Sequence, residues 1–235
     1  MQPLDGEATP SKDPHPANMP LLRVLVLSLA LPLLLTAQAS ATTRPGRRPL
    51  LAAEREVALA RSAAPREVSA HATIYLLTDT GFVVSVEGDN GNACLVDRSW
   101  PTSIEPICYD PEARASHMQM TLAQMAAIQR GVSPEVIDRM LADGLRSGRF
   151  RLPTRPAMSY MMSGGQQLIG DDGRPAGRWQ PHLMLFIPYI TSEQLGLGAV
   201  PNVAAAIVVD SGKPTAQVMV IVKQFVEPVF GDGQR

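Results

Sequence analysis

The two cysteines of the chain, Cys94 and Cys108, are close together in sequence and restrict how the segment around them can fold. They lie in GDNGNACLVDRSWPTSIEPICYD, residues 88–110. A disulfide between them would close a ring of about 15 residues and, in the loop-entropy model, stabilise the fold by about 3 kcal/mol. The alternatives are a free or catalytic thiol and a metal or redox site. The compartment bears on this choice, because structural disulfides persist mainly in oxidising environments.

The N-terminal 41 residues predict export. Arg23 precedes the apolar run VLVLSLALPLLL, residues 24–35, and Ala39-Ser40-Ala41 follows it. This order is typical of a secretory signal peptide, and the run is shorter than the ~20 residues of a membrane-spanning helix. We therefore expect residues 1–41 to be removed, which leaves a secreted or periplasmic protein without a stable membrane span; an uncleaved anchor is the alternative. Met19 is a possible true start, because acidic residues before it are atypical of a signal peptide.

The charge of the remaining chain argues against nucleic acid as a partner. Residues 1–41 contain two of the 21 basic and three of the 22 acidic residues, so 19 of each remain. A neutral chain has no net field to steer it toward phosphate backbones.

Export favours the disulfide over the two alternatives. A structural zinc site needs four ligands, and the sequence contains no C-x-x-C pair. A catalytic thiol needs a lowered pKa, typically at a helix N-terminus or beside a histidine, whereas Cys94 lies in a strand-like run. We predict that the disulfide ties the end of a strand meander to the loop after it, with Pro101 and Pro106 bending the chain back.

Hydrophobic periodicity predicts an α+β fold with a largely antiparallel sheet, an N-terminal helix and a helical hairpin. After a flexible leader at 42–49, residues 50–235 are expected to form one domain. Helices are predicted at 50–64, 120–131 and 134–148, the last beginning with Ser133 as N-cap and Pro134 at the first helical position. Strands are predicted at 72–78, 82–88, 93–97, 157–162, 182–189, 205–209 and 216–225, the first three as a meander. A DNA-binding helix-turn-helix is disfavoured by the export signal and the neutral charge.

One candidate catalytic set contains His182, Ser163 and Asp210. His182 opens an apolar strand after Pro181, where a histidine can act as a general base or metal ligand, or simply bond a backbone carbonyl. Ser163 and Asp210 complete a possible hydrolase triad, but the G-x-S-x-G motif is absent. The backbone-bonded histidine is the favoured interpretation.

A second candidate site contains His117, Met118 and Met120, which resemble soft ligands of copper. Methionine also fills irregular cores, and core packing is the favoured interpretation. The Gly- and Asp-rich segments 88–92 and 170–173 lack the spacing of a calcium loop and are predicted to be turns. No cofactor is predicted.

Five segments resemble a group of secreted bacterial proteins to which no activity is assigned. They are EREVALARSAAPREVS (54–69), EGDNGNACLVDRSW (87–100), PICYD (106–110), SGRFRLPTRPAMSYMMS (147–163) and WQPHLMLFIPY (179–189). The resemblance implies export and carries no catalytic residue over to this chain.

The functional expectation follows from the absence of a diagnostic catalytic motif. We expect a non-enzymatic domain that binds a small ligand or another component of the cell envelope. The alternative is a secreted hydrolase or metal-dependent enzyme that uses His182.

Overall fold

The computed structural model describes residues 46–197 and 206–231. The predicted signal peptide and the possible start at Met19 lie outside this range. Within it, no helix combines the length and the apolar character needed to cross a bilayer.

Five α-helices are present in the described residues, and the predicted N-terminal helix and helical hairpin are confirmed. They are α1 (Ala53–Ser62), α2 (Arg66–Ser69), α3 (Pro111–Ala115), α4 (His117–Gln129) and α5 (Pro134–Arg146). Acidic residues in the first turn of α1 and a basic residue in its last turn match the helix dipole. Ser133 is the N-cap of α5 and Pro134 its first residue, as the sequence predicts.

Ten β-strands accompany these helices. They are β1 (Thr73–Thr78), β2 (Gly81–Val86), β3 (Ala93–Asp97), β4 (Ser103–Tyr109), β5 (Met158–Met161), β6 (Gln167–Ile169), β7 (Pro175–Gly177), β8 (His182–Phe186), β9 (Ala206–Val209) and β10 (Gln217–Ile221). The main sheet has the order β2-β1-β3-β4-β5-β8-β10-β9, and the β6–β7 hairpin joins the first residues of β4. The α+β prediction is confirmed.

The prediction of a three-strand meander is wrong. β1 and β2 form the predicted hairpin, but β3 pairs with the other edge of β1 and runs parallel to it. The connection must therefore cross over the start of β1, and Gly88 lies at the crossing. A Cβ atom at Gly88 would lie 2.4 Å from backbone atoms of residues 71–73, so the crossing needs a residue without a side chain.

The predicted disulfide is present, but its surroundings differ from the prediction. Cys94 of β3 and Cys108 of β4 are direct cross-strand partners, so Cys108 is a strand residue and not part of a loop. Pro106 is also within β4, opposite Val96. Both cysteines are fully buried, and their strands lie inside the sheet, which places the disulfide in the core.

Helices cover both faces of the sheet. Helix α1 packs on β1, β3 and β4, and contributes to a core cluster that contains the disulfide. On the opposite face, α3 packs on β4 and β5, and α4 packs on β2. Alternate residues of β3 and β4 point to the two faces of the sheet. Leu95 and Tyr109 lie on the face covered by α3 and α4, and Val96 lies on the face covered by α1.

A buried ion pair connects α1 to the sheet. Glu56 of α1 and Arg98, just after β3, are 1% and 2% exposed and form a direct carboxylate–guanidinium contact. The same carboxylate accepts a hydrogen bond from the Leu77 backbone N–H at 3.0 Å. Burial is the largest influence on the pKa of Glu56 and raises it, whereas the charge of Arg98 lowers it.

Two residues of the predicted flexible leader are bonded to the domain. The Arg48 backbone N–H donates to the Gln129 side chain at 2.8 Å, and its Nε donates to the Arg98 carbonyl at 2.6 Å. Arg47 Nε donates to the Gln129 carbonyl at 2.7 Å. Residues 46–49 therefore pass the ends of β1 and β3 in a defined position.

Candidate functional site

His182 is bonded to backbone. It lies at the start of β8, is 2% exposed, and its Nδ1 donates to the Gln180 carbonyl at 2.6 Å. Burial lowers the pKa of His182, and the bond to Gln180 offsets part of this effect. The imidazole is therefore a neutral ring at the first residue of β8.

The other two members of the candidate triad have separate partners. Ser163 Oγ is 2.6 Å from Ser62 Oγ of α1. Asp210 accepts from Lys213 Nζ at 2.7 Å and from the Thr215 hydroxyl at 3.0 Å. These contacts link each side chain to other parts of the fold, and none of them joins the members of the set into a nucleophile–base–acid chain.

The candidate copper ligands take part in packing. The His117 ring stacks on Phe186 with centroids 4.3 Å apart, and burial lowers the pKa of His117 to about 4. Met118 is fully buried in the core cluster that contains Tyr109, and Met120 is 6% exposed. Among the described residues, no group of three or more His, Cys, Asp and Glu side chains could hold a metal ion.

A concave surface lies between α1, α2 and the C-terminal segment 226–229. This α1–α2 cavity has a volume of about 480 Å³, within the usual range for small-ligand sites. Its apolar wall is built mainly from small side chains. The lining residues are Ala58, Arg61, Ser62, Ala64, Arg66, Ser69, Ala70, Val226, Glu227 and Val229.

The C-terminal wall of this cavity is held by backbone bonds. Val226 forms a parallel bridge with Ser163: its N–H donates to the Met162 carbonyl, and its carbonyl accepts from the Gly164 N–H, each at 2.8 Å. The Arg178 guanidinium lies 3.9 Å from the Phe225 ring centroid and 3.9 Å from Glu227 Oε1. The cavity is thus formed by segments far apart in sequence.

Two guanidinium groups line the α1–α2 cavity. Arg61 Nη1 donates to the carbonyls of Ser69 and Ala70 at 2.6 and 3.0 Å, which fixes its position at the rim. Arg66 is exposed, and its guanidinium has no hydrogen bond or ion pair within the described part of the chain. The cavity therefore combines apolar walls with positive charge, opposed by the largely exposed carboxylate of Glu227.

A second depression, of about 520 Å³, lies on the outer face of α5 and includes Arg139, Asp143 and Arg149. Its lining is more polar and more open than that of the α1–α2 cavity. It does not offer the enclosed apolar surface that a small ligand needs.

Sequence patterns did not reveal a row of polar residues at one end of the sheet. Asp97 of β3 and Glu105 of β4 are direct cross-strand partners, so their side chains share one face. Burial is the main cause of the raised pKa of each carboxyl group, and Asp97 adds to the increase at Glu105. Only the register of β3 against β4 brings these two residues together.

Comparisons with known proteins found no matching family model, no similar curated protein and no similar solved structure.

Proposed function

We propose that the protein is exported and that its domain is a non-enzymatic binding module with the α1–α2 cavity as its ligand site. Export is supported by the charge and apolar pattern of residues 1–41 together with the disulfide. The resemblance to secreted bacterial proteins points the same way. A binding role is supported by the backbone-bonded His182 and by the separate partners of Ser163 and Asp210.

The ligand that fits this cavity is a small molecule with an apolar body and one acidic group. Alanine and valine side chains offer contact surface to the apolar part. The unpartnered guanidinium of Arg66, supported by Arg61, offers a bidentate partner to a carboxylate or phosphate. The combination of an apolar wall with the free guanidinium of Arg66 is the main support for an acidic ligand with an apolar body.

The proposal is tested with dodecanoate as probe and dodecanol as its uncharged counterpart. Binding is measured by isothermal titration calorimetry on the mature protein below the micelle-forming concentration. We expect dodecanoate to bind and dodecanol to bind more weakly, because only the carboxylate can pair with Arg66. Arg66→Gln should weaken dodecanoate binding by about tenfold or more, as loss of a charge-assisted hydrogen bond implies.

Two further variants complete the test. Arg55→Gln is the matched control: Arg55 is an exposed arginine of α1 that does not line the cavity, so binding should be unchanged. Ala70→Trp should abolish binding without unfolding the protein, because Ala70 is exposed and an indole would fill the cavity. Failure of dodecanoate to bind, or equal weakening by Arg55→Gln and Arg66→Gln, would contradict the proposal.

A further inference from the structure

The polar row at the end of the sheet extends beyond its two carboxyl groups. Ile104 of β4 pairs with Gln167 of β6. Gln166 comes just before β6, and continuing the antiparallel register by one residue places it beside Glu105, on the face of the sheet opposite to Ile104. Gln166 Nε2 donates to the Trp179 carbonyl at 3.2 Å, so Trp179, in the segment after β7, lies beside Gln166. We call this set the acceptor row; its members are Asp97, Glu105, Gln166 and Trp179.

The acceptor row contains a polar atom that lacks a partner. Gln166 is 4% exposed, and its Oε1 is buried without a hydrogen bond from any described residue. A buried carbonyl oxygen without a donor is unfavourable, so a ligand that supplies a donor would stabilise it. The register directs this side chain to the same face as Glu105, into the row.

Trp179 gives the row an apolar surface. Its side chain is 40% exposed, although tryptophan is usually largely buried. The indole also acts on the Glu105 carboxyl and favours its charged form. Strand β7, which leads to Trp179, is exposed along its whole length, so this end of the sheet is open to a ligand.

We propose that the acceptor row binds a saccharide. Carboxyl oxygens accept hydrogen bonds in either protonation state, and so does the amide Oε1 of Gln166, so the complementary ligand must supply donors. Saccharides offer hydroxyl donors along their edges and an apolar C–H face that stacks on an indole. Three strand spacings separate Asp97 from Trp179, about 14 Å, which suits an extended chain of sugar rings better than a single small ligand.

A cationic ligand fits the row less well. Asp97 already has electrostatic partners in Arg98 and Arg48, and accepts hydrogen bonds from the Ser99 backbone N–H at 2.8 Å and hydroxyl at 3.0 Å. Glu105 has a raised pKa, so its environment disfavours the charged form that a cation would need. A neutral polyol requires no net negative charge. This site does not depend on the α1–α2 cavity.

The chain has two tryptophans, Trp100 and Trp179, which allows a direct test. In Trp100→Phe, the fluorescence reports Trp179 alone. This variant is titrated with chitotriose, cellotriose and maltotriose, and with spermidine as the cationic probe. We expect at least one saccharide to shift the emission of Trp179 with a Kd in the micromolar to millimolar range, and spermidine to have no effect.

Substitutions of glutamates in the Trp100→Phe background identify the row as the site. Glu105→Ala should weaken saccharide binding at least tenfold, and Glu105→Gln, which keeps an acceptor oxygen, should weaken it less. Glu67→Ala, at an exposed glutamate of α2 outside the row, should leave binding unchanged. If Glu105→Ala fails to fold, Trp179→Leu replaces it. Its saccharide binding, measured by calorimetry because the fluorescent residue is lost, should also be weaker.

Three outcomes would overturn the proposal. The first is no response to any of the three saccharides. The second is a response that Glu105→Ala and Trp179→Leu leave intact. The third is a response to spermidine alone, which would assign the row to a cationic ligand.

Discussion

Removal of Arg98 from its buried ion pair with Glu56 is expected to destabilise the protein strongly. Arg98→Met leaves a carboxyl group that is 1% exposed without its charged partner, and removes the 3.0 Å bond from Arg98 Nη1 to the Pro49 carbonyl. Breaking a buried ion pair by removing one partner lowers the free energy of unfolding by about 3–5 kcal/mol. That loss is a large part of the 5–15 kcal/mol that stabilises a typical domain.

The double variant Glu56→Gln/Arg98→Met separates lost charge pairing from lost packing. Gln keeps an oxygen that can accept the Leu77 N–H bond but carries no charge, so no unpaired ion remains in the core. We expect the double variant to recover about 2 kcal/mol of the loss caused by Arg98→Met. Urea unfolding followed by circular dichroism at pH 7 measures all three free energies.

The destabilisation should also depend on pH. Without Arg98, the effect of burial on Glu56 is opposed by the Leu77 N–H bond and no longer by a positive charge, so its folded-state pKa lies further above the ordinary value of 4.5. The folded state then binds the proton more tightly than the unfolded state. The deficit of Arg98→Met should therefore be smallest below pH 4.5 and grow as the pH rises through the folded-state pKa.

A matched control is available at the protein surface. Arg146 forms an exposed ion pair with Asp143, and Arg146→Met should change the free energy of unfolding by less than about 1 kcal/mol. The reasoning is refuted if Arg98→Met costs no more than Arg146→Met, or if the double variant is as unstable as the single one.

Three other predictions follow from the fold. The double variant Cys94→Ala/Cys108→Ala should have a free energy of unfolding about 3 kcal/mol lower than the wild-type protein in urea titrations. Equal stability of the variant and the wild-type protein would contradict a stabilising role of the disulfide. Gly88→Ala should cost at least about 2 kcal/mol in the same assay, because its Cβ would overlap the backbone of β1; a wild-type unfolding curve would show that the crossing is wrong. Hydrogen bonds from Arg151, Thr154 and other donors lower the pKa of Glu112 to about 2, below its ordinary value of 4.5. The resulting stabilisation is present above pH 4.5 and lost as the pH falls toward 2, so Tm should decline over this range less in Glu112→Gln than in the wild-type protein.

Local sequence patterns predicted the elements better than their arrangement. Turn residues and β-branched runs located β1, β2 and β3, and the Ser133-Pro134 pair located the start of α5. The same patterns suggested a meander, because consecutive strands usually pair. The parallel pairing of β1 and β3 depends on the crossing at Gly88, which no local propensity encodes.

The two short strands of the β6–β7 hairpin were missed for a different reason. Each has three residues, and Pro175–Gly177 has low strand propensity, so only pairing with β6 makes the segment extended. The predicted turn at 170–173 connects these two strands.

The candidate sites were the least predictable part of the molecule. The α1–α2 cavity depends on how segment 226–229 returns to α1, and the acceptor row depends on a register across three strand pairs. His182, by contrast, was recognisable as a strand-end histidine, and its 2.6 Å bond to a carbonyl agrees with the favoured interpretation.

Export is the claim on which the disulfide and the proposed binding role both depend. It is tested most directly by expressing the full chain in a bacterium and measuring the mass of the protein from the periplasm or medium after thiol alkylation, with and without reduction. We expect a chain cleaved near residue 41 that carries no alkyl group before reduction and two after it. An uncleaved chain retained in the cytoplasm, with Cys94 and Cys108 both alkylated before reduction, would contradict the account.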